Sequence, residues 1–120
     1  MSNKPTILVI DDNAPFRMLI RAFLQKEDYQ VAEAENGEQA LKMLDNVKPD
    51  LLLLDLQMVP IGGFDFMAVY TERGYKSPVI LITGDPSTDI LERSSKLGIA
   101  GIVKKPITEE RLMQIVKRFA

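Results

Sequence analysis

Three aspartates, one threonine and a pair of lysines stand at the ends of apolar runs in this 120-residue chain. Asp11 and Asp12 close "TILVIDD". Asp55 closes "LLLLD". Thr83 closes "PVILIT" and is followed by Gly84, and Lys104 and Lys105 close "AGIVKK" before Pro106. A carboxylate set against four leucines, as Asp55 is, costs free energy unless something pairs with it. Three carboxylates and one lysine leave two negative charges, which a divalent cation would neutralise. The chain has no histidine and no cysteine. A cation held only by oxygen ligands is best matched by Mg2+, or by Mn2+ in its place.

This set of groups suits phosphoryl transfer, which needs charge neutralisation and alignment more than covalent machinery. An aspartate can itself be the nucleophile and form an acyl phosphate. The lysine would neutralise one phosphoryl oxygen, the Thr83 hydroxyl would donate to another, and Gly84 leaves room for the incoming group. Each residue alone has a duller reading. Asp12 could be a turn or capping acid, Asp55 a strand end facing water, Thr83 a turn residue and Lys105 an exposed lysine. Their joint placement at strand ends argues for a site. Asp50, after Pro49 at the other end of its strand, reads as structural.

The elements that must position these groups alternate in period. Apolar runs at Thr6–Asp12, Tyr29–Ala34, Leu51–Asp55, Pro78–Thr83 and Ala100–Lys105 read as strands. Between and after them, helical patterns run from Pro15, over Asn36–Val47, Gly62–Gly74 and Ser87–Gly98, and from Thr108 to the end. Strict alternation of strand and helix predicts a parallel sheet covered by helices on both faces, an α/β doubly wound fold. The continuous apolar runs Leu51–Leu54 and Val79–Ile82 suit strands buried on both sides. In such a sheet ligands bind beyond the carboxyl ends of the strands, which is where the acids, the hydroxyl and the lysines fall. The second strand, ending in Ala34 and Glu35, is expected to take no part.

Composition sets the bounds. One domain over residues 1–120 is expected, with a hydrophobic fraction of 46% and a charged fraction of 27% that fit a globular core. A net charge of -2 does not favour direct binding to nucleic acid. No apolar run approaches the roughly 20 residues of a membrane span. No signal-peptide core follows Met1, so a cytoplasmic location without membrane insertion is the expectation.

The motifs "ILVIDD", "LLLLDLQM", Gly63, "ILITG" and "KKP" together resemble the receiver domain of two-component response regulators, including the single-domain chemotaxis type. The resemblance spans residues 5–119. It implies a flavodoxin-like (βα)5 sandwich with sheet order 2-1-3-4-5. It implies that Asp55 accepts a phosphoryl group from the phosphohistidine of a sensor histidine kinase or phosphotransfer protein. Mg2+ would be held by Asp12 directly, by Asp11 through water, by Asp55 and by the Gln57 backbone carbonyl. Thr83 would be the switch hydroxyl. Lys105, which directly precedes Pro106, would be the phosphate-contacting lysine, with a cis Lys105–Pro106 bond. Gln57 and Asp85 would tune the acyl phosphate lifetime. The chain would catalyse only its own phosphorylation and dephosphorylation. Its further partners would be a downstream effector protein or output domain, and the resemblance allows a homodimer through the face of the fourth and fifth helices. A self-standing regulator and a receiver module of a longer protein both fit.

Three positions depart from the family pattern. Ile102 stands where an aromatic is usual, Val59 with Pro60 replaces an earlier proline, and Gly62 replaces an aspartate. These support a competing reading, a receiver-like interaction domain not controlled by phosphorylation. Flavodoxin-like cofactor binding is disfavoured, because "DDNAP" puts carboxylates where a phosphate cradle would need Gly, Ser or Thr. A phosphatase with its aspartyl nucleophile on the first strand would need different spacing and a second acid.

Overall fold

The computed structural model of the chain describes residues 4–57, 62–84 and 86–120. Val59, Pro60 and Asp85, singled out above, lie outside the described residues. Strands and helices alternate as β1 (Thr6–Ile10), α1 (Ala14–Lys26), β2 (Gln30–Ala34), α2 (Gly37–Met43), β3 (Leu51–Asp55), α3 (Gly63–Glu72), β4 (Val79–Thr83), α4 (Thr88–Lys96), β5 (Gly101–Lys104) and α5 (Glu109–Phe119). All strand pairs are parallel, in the order β2-β1-β3-β4-β5. This is the expected doubly wound sheet.

The pleat divides the core in two. Ile7, Val9, Leu51, Leu53, Ile80, Ile82 and Val103 face a layer built from α1 and α5. Leu8, Ile10, Ala34, Leu52, Leu54, Val79 and Leu81 face a layer built from α2, α3 and α4. Successive side chains on a strand point to opposite faces, so an unbroken apolar run feeds both layers at once. All five residues of β3 and of β4 are buried.

Helix starts follow local chemistry. Asn13, Asn36, Ser87 and Thr108 each accept, on a side-chain oxygen, the N–H of the residue three further on. That satisfies one of the donors a helix leaves open at its start. Pro15 lies in the first turn of α1, where its missing N–H costs nothing. One expectation is corrected: α2 stops at Met43 rather than continuing to Val47. Asp45 and Asn46 are weak helix formers, and their N–H groups bond three residues back, to Lys42 and Met43, tightening the chain into turns before Pro49.

Gly63 opens α3 in close contact with the exit of β3. A Cβ there would lie 2.8 Å from the Asp55 carbonyl oxygen and 3.0 Å from Leu56 Cα. The Gly63 N–H donates to the Leu56 carbonyl at 2.9 Å. Only glycine allows this approach, which pins the backbone that carries Asp55. Asp50 is structural, as read: its carboxylate accepts the Thr6 N–H at 2.8 Å, tying the start of β3 to the start of β1.

Candidate functional site: an acidic cleft bridged by a lysine

Beyond the carboxyl ends of β1, β3 and β5 the pleat continues to dictate direction. Asp11 has the parity of Ile7 and Val9, Asp55 that of Leu51 and Leu53, and Lys105 that of Val103. All three therefore belong to the α1/α5 side of the sheet. Lys104 has the opposite parity, that of Ile102, and is exposed. The structure brings Asp11, Asp12 and Asp55 together, one carboxylate oxygen from each lying within 4.8 Å of the others. Asp11 and Asp55 are buried, at 1% and 6% exposure, while Asp12 opens to solvent.

The Lys105 ammonium bridges two of the acids. Nζ lies 3.2 Å from Asp11 Oδ2 and 3.4 Å from Asp55 Oδ1. The Lys105–Pro106 bond is cis, and the Lys105 N–H donates to the Thr83 carbonyl at 2.8 Å, which sets the strand end against β4. Thr83 is buried on the other parity, at the head of the α2–α4 layer. The Gln57 N–H donates to Asp55 Oδ1 at 3.4 Å, and Gln57 itself is exposed.

The electrostatics follow from this arrangement. Burial, then the like charge of Asp11, push the Asp55 carboxyl above the usual aspartate range, and Lys105 only partly offsets them. For Lys105 burial acts downward, but two neighbouring carboxylates outweigh it and hold the ammonium above its ordinary value. The two directions agree, because the lysine has two anionic neighbours whereas Asp55 has one cation and one anion. The ligand atoms that the three acids offer are hard carboxylate oxygens, and the cleft keeps two negative charges after Lys105 is counted. That donor set fits an oxygen-ligated divalent cation.

Several parts of the cleft are not evident from motif reading. β2 takes part after all: the Asp11 N–H donates to the Ala34 carbonyl at 3.1 Å. The Arg17 guanidinium donates to the Asp11 carbonyl and pairs with Glu33 of β2 at 3.2 Å. Arg21 pairs with the other Glu33 oxygen at 2.6 Å. Asp11 Oδ1 also accepts the Asn13 N–H at 2.9 Å. The available signal was a glutamate near the end of a half-buried strand, with two arginines one helical turn apart to meet it.

Comparison with known proteins accords with this geometry. The family model of the response regulator receiver domain matches residues 7–117. The sporulation initiation phosphotransferase F of Bacillus subtilis is 30% identical over 113 residues, 94% of this chain and 91% of that protein. The chemotaxis protein CheY of Listeria monocytogenes is 29% identical over 95% of this chain and 97% of that protein. A solved structure of the chemotaxis protein CheY4 of Vibrio cholerae shares the fold with a TM-score of 0.91 at 27% identity, covering 98% of this chain and 99% of that one. With its sheet order, its acidic cleft and a family match over nearly its whole length, the chain belongs to the response regulator receiver domains of two-component signalling.

Proposed function

We propose that this receiver accepts a phosphoryl group on Asp55 and uses it to change a partner-binding surface. The observation that carries this is the Lys105 ammonium held between Asp11 and Asp55 inside a cluster of three carboxylates. In the forward step an Asp55 carboxylate oxygen attacks phosphorus. A new P–O bond forms as the donor's P–N bond breaks, and the departing imidazole takes up a proton. The chain has no histidine, so the phosphohistidine belongs to a sensor histidine kinase or phosphotransfer protein. Hydrolysis runs through water attack on the same phosphorus, with the carboxylate leaving.

Asp11, Asp12, Asp55 and the Gln57 carbonyl would hold Mg2+ or Mn2+. The bound cation would neutralise charge on the transferring phosphoryl group. Asp11 has one oxygen held by the Asn13 N–H and the other by Lys105, whereas Asp12 faces solvent; this supports direct ligation by Asp12 and a water-mediated role for Asp11. Lys105 would move from Asp11 to a phosphoryl oxygen, and Thr83 would donate its hydroxyl to another. Charge brought to Asp55 would thereby shift the populations of the surface around Ile102 and α4.

Ile102 packs half-buried against the α2–α4 core cluster, so a switch here works by repacking rather than by a swinging ring. Partners are the phosphodonor protein and a downstream effector or output domain, with the α4–α5 face available to a second copy. A cytoplasmic location fits such partners, and no helix among the described residues is long and apolar enough to cross a membrane. The assembled cleft weighs against a phosphorylation-independent role.

The test is labelling by acetyl phosphate or phosphoramidate with and without Mg2+. Wild type should be labelled only with the cation, and Asp55→Asn should lose the label entirely. Equal labelling of the two proteins would overturn the assignment.

A further inference from the structure

Phe16 is the third residue of α1, and its ring is half-buried beside the cleft. The Lys105 ammonium lies 4.6 Å from the centre of that ring. The ring is also placed from below by a closed circuit of contacts. Asp11 Oδ1 accepts the Asn13 N–H, and Asn13 Oδ1 accepts the Phe16 N–H, each at 2.9 Å. The circuit returns through Lys105, whose Nζ lies 3.2 Å from the other oxygen of Asp11. Arg17, the next residue, is fixed to the Asp11 carbonyl and to Glu33, so the first turn of α1 has little freedom. Phe16, Leu19, Pro106 and Ile107 wall a hollow of about 380 Å3 along the Lys105 side chain.

A lysine side chain has several rotatable bonds and strong hydration, and an exposed one would spread over many rotamers. The face of an aromatic ring attracts an ammonium and gives it a preferred position. We propose that Phe16 is a positioning residue for Lys105: its ring holds the ammonium over the acidic cleft, so that the charge is in place before a phosphoryl group arrives. The ring contributes through its π face, and an aliphatic side chain of similar size does not replace it. The kinetic consequence rests on the phosphoacceptor reading above; the positioning itself does not.

The test compares Phe16→Leu, which keeps apolar bulk, with Phe16→Tyr, which keeps the ring. In NMR spectra of the unphosphorylated chain, the Lys105 ε-methylene protons should move downfield in Phe16→Leu as the ring current is lost, and stay near their wild-type position in Phe16→Tyr. With limiting acetyl phosphate and Mg2+, Phe16→Leu should be phosphorylated about threefold more slowly, and Phe16→Tyr should restore the rate. In a Lys105→Met background, Phe16→Leu should have no further effect. Unchanged Lys105 shifts in Phe16→Leu would overturn the proposal, whatever the rates. A slowed rate that persists undiminished in the Lys105→Met background would also overturn it. Failure of wild type to be labelled at all would instead sink the phosphoacceptor reading, and the NMR comparison would still decide the role of Phe16.

Discussion

α5 buries Leu112, Ile115 and Val116 beneath the sheet, whereas the residue α4 buries fully is Ser94. The Ser94 hydroxyl, at 2% residue exposure, is the buried side-chain atom among the described residues that has no hydrogen-bond partner. Ile90 of α4 and Leu97 at its C-cap pack only partly against their core cluster, and Leu91 is 49% exposed. The helix before β5 is thus lightly held and the helix after it is firmly held. Lys105 stands at the junction of β5 with the firm side. A site that must align charges to fractions of an ångström gains from a rigid frame, whereas a surface that must change on signal gains from weak packing. Under the proposed function, the contrast would rest the acid–lysine part of the chemistry on the α1/α5 layer, with Thr83 reaching it from the other side, and leave the response to α4.

The largest effect that probes this contrast should come from α5. Leu112→Ala should cost about 3 kcal/mol of stability, measured by chemical denaturation, because it empties a fully buried site. A loss close to that of an exposed residue would break the comparison.

The next effect tests the cleft itself. The Asp55 carboxyl binds its proton more tightly in the folded than in the unfolded chain, since burial and Asp11 raise its pKa. Its ionised form therefore costs stability at pH values above that raised pKa, and the cost vanishes below the ordinary aspartate range. Asp55→Asn should raise the melting temperature near neutral pH, without divalent cations, by about 4 °C. That gain should shrink as pH falls through the acid range. A gain that persists undiminished in acid would show that the carboxylate is not its source.

Ser94→Ala in α4 should stabilise the fold by about 1 kcal/mol, because a buried hydroxyl without a partner is removed. A loss of stability would mean that the hydroxyl is satisfied and α4 better anchored than its packing indicates. The smallest effect belongs to Leu91→Ala, expected within about 0.5 kcal/mol of wild type by the same denaturation measurement. Set beside Leu112→Ala, it gives the contrast between the two helices as a single difference.

Much of this molecule was legible in one dimension. Leu51–Asp55 and Val79–Thr83 are read directly from uninterrupted apolar runs, and Thr108 marks the start of the last helix by its capping chemistry. α2 was read too long because apolar spacing at Leu44 and Val47 continues past the point where Asp45 and Asn46 favour turns. α4, weakly patterned in sequence, is the helix that packs least in space, so the weak signal was itself informative. Arg17, Glu33 and Phe16 escaped motif reading because each looks ordinary in its own element. Arg17 and Glu33 meet across 16 residues, and Phe16 meets Lys105 from the far end of the chain.

By itself the sequence determined the order of elements, the parallel sheet and the placing of Asp11, Asp12, Asp55, Thr83 and Lys105 at strand ends. These follow from periodicity and terminal signals among near neighbours, which a linear chain carries openly. Only the tertiary structure decided that Asp11, Asp55 and Lys105 meet on one side of the sheet and that β2 braces the cleft through Arg17 and Glu33. It alone also decided that the lysine rests on Phe16. Those outcomes depend on pleat, strand register and the crossing of α1 over β1 and β2, which bring distant residues together by geometry that no local pattern records.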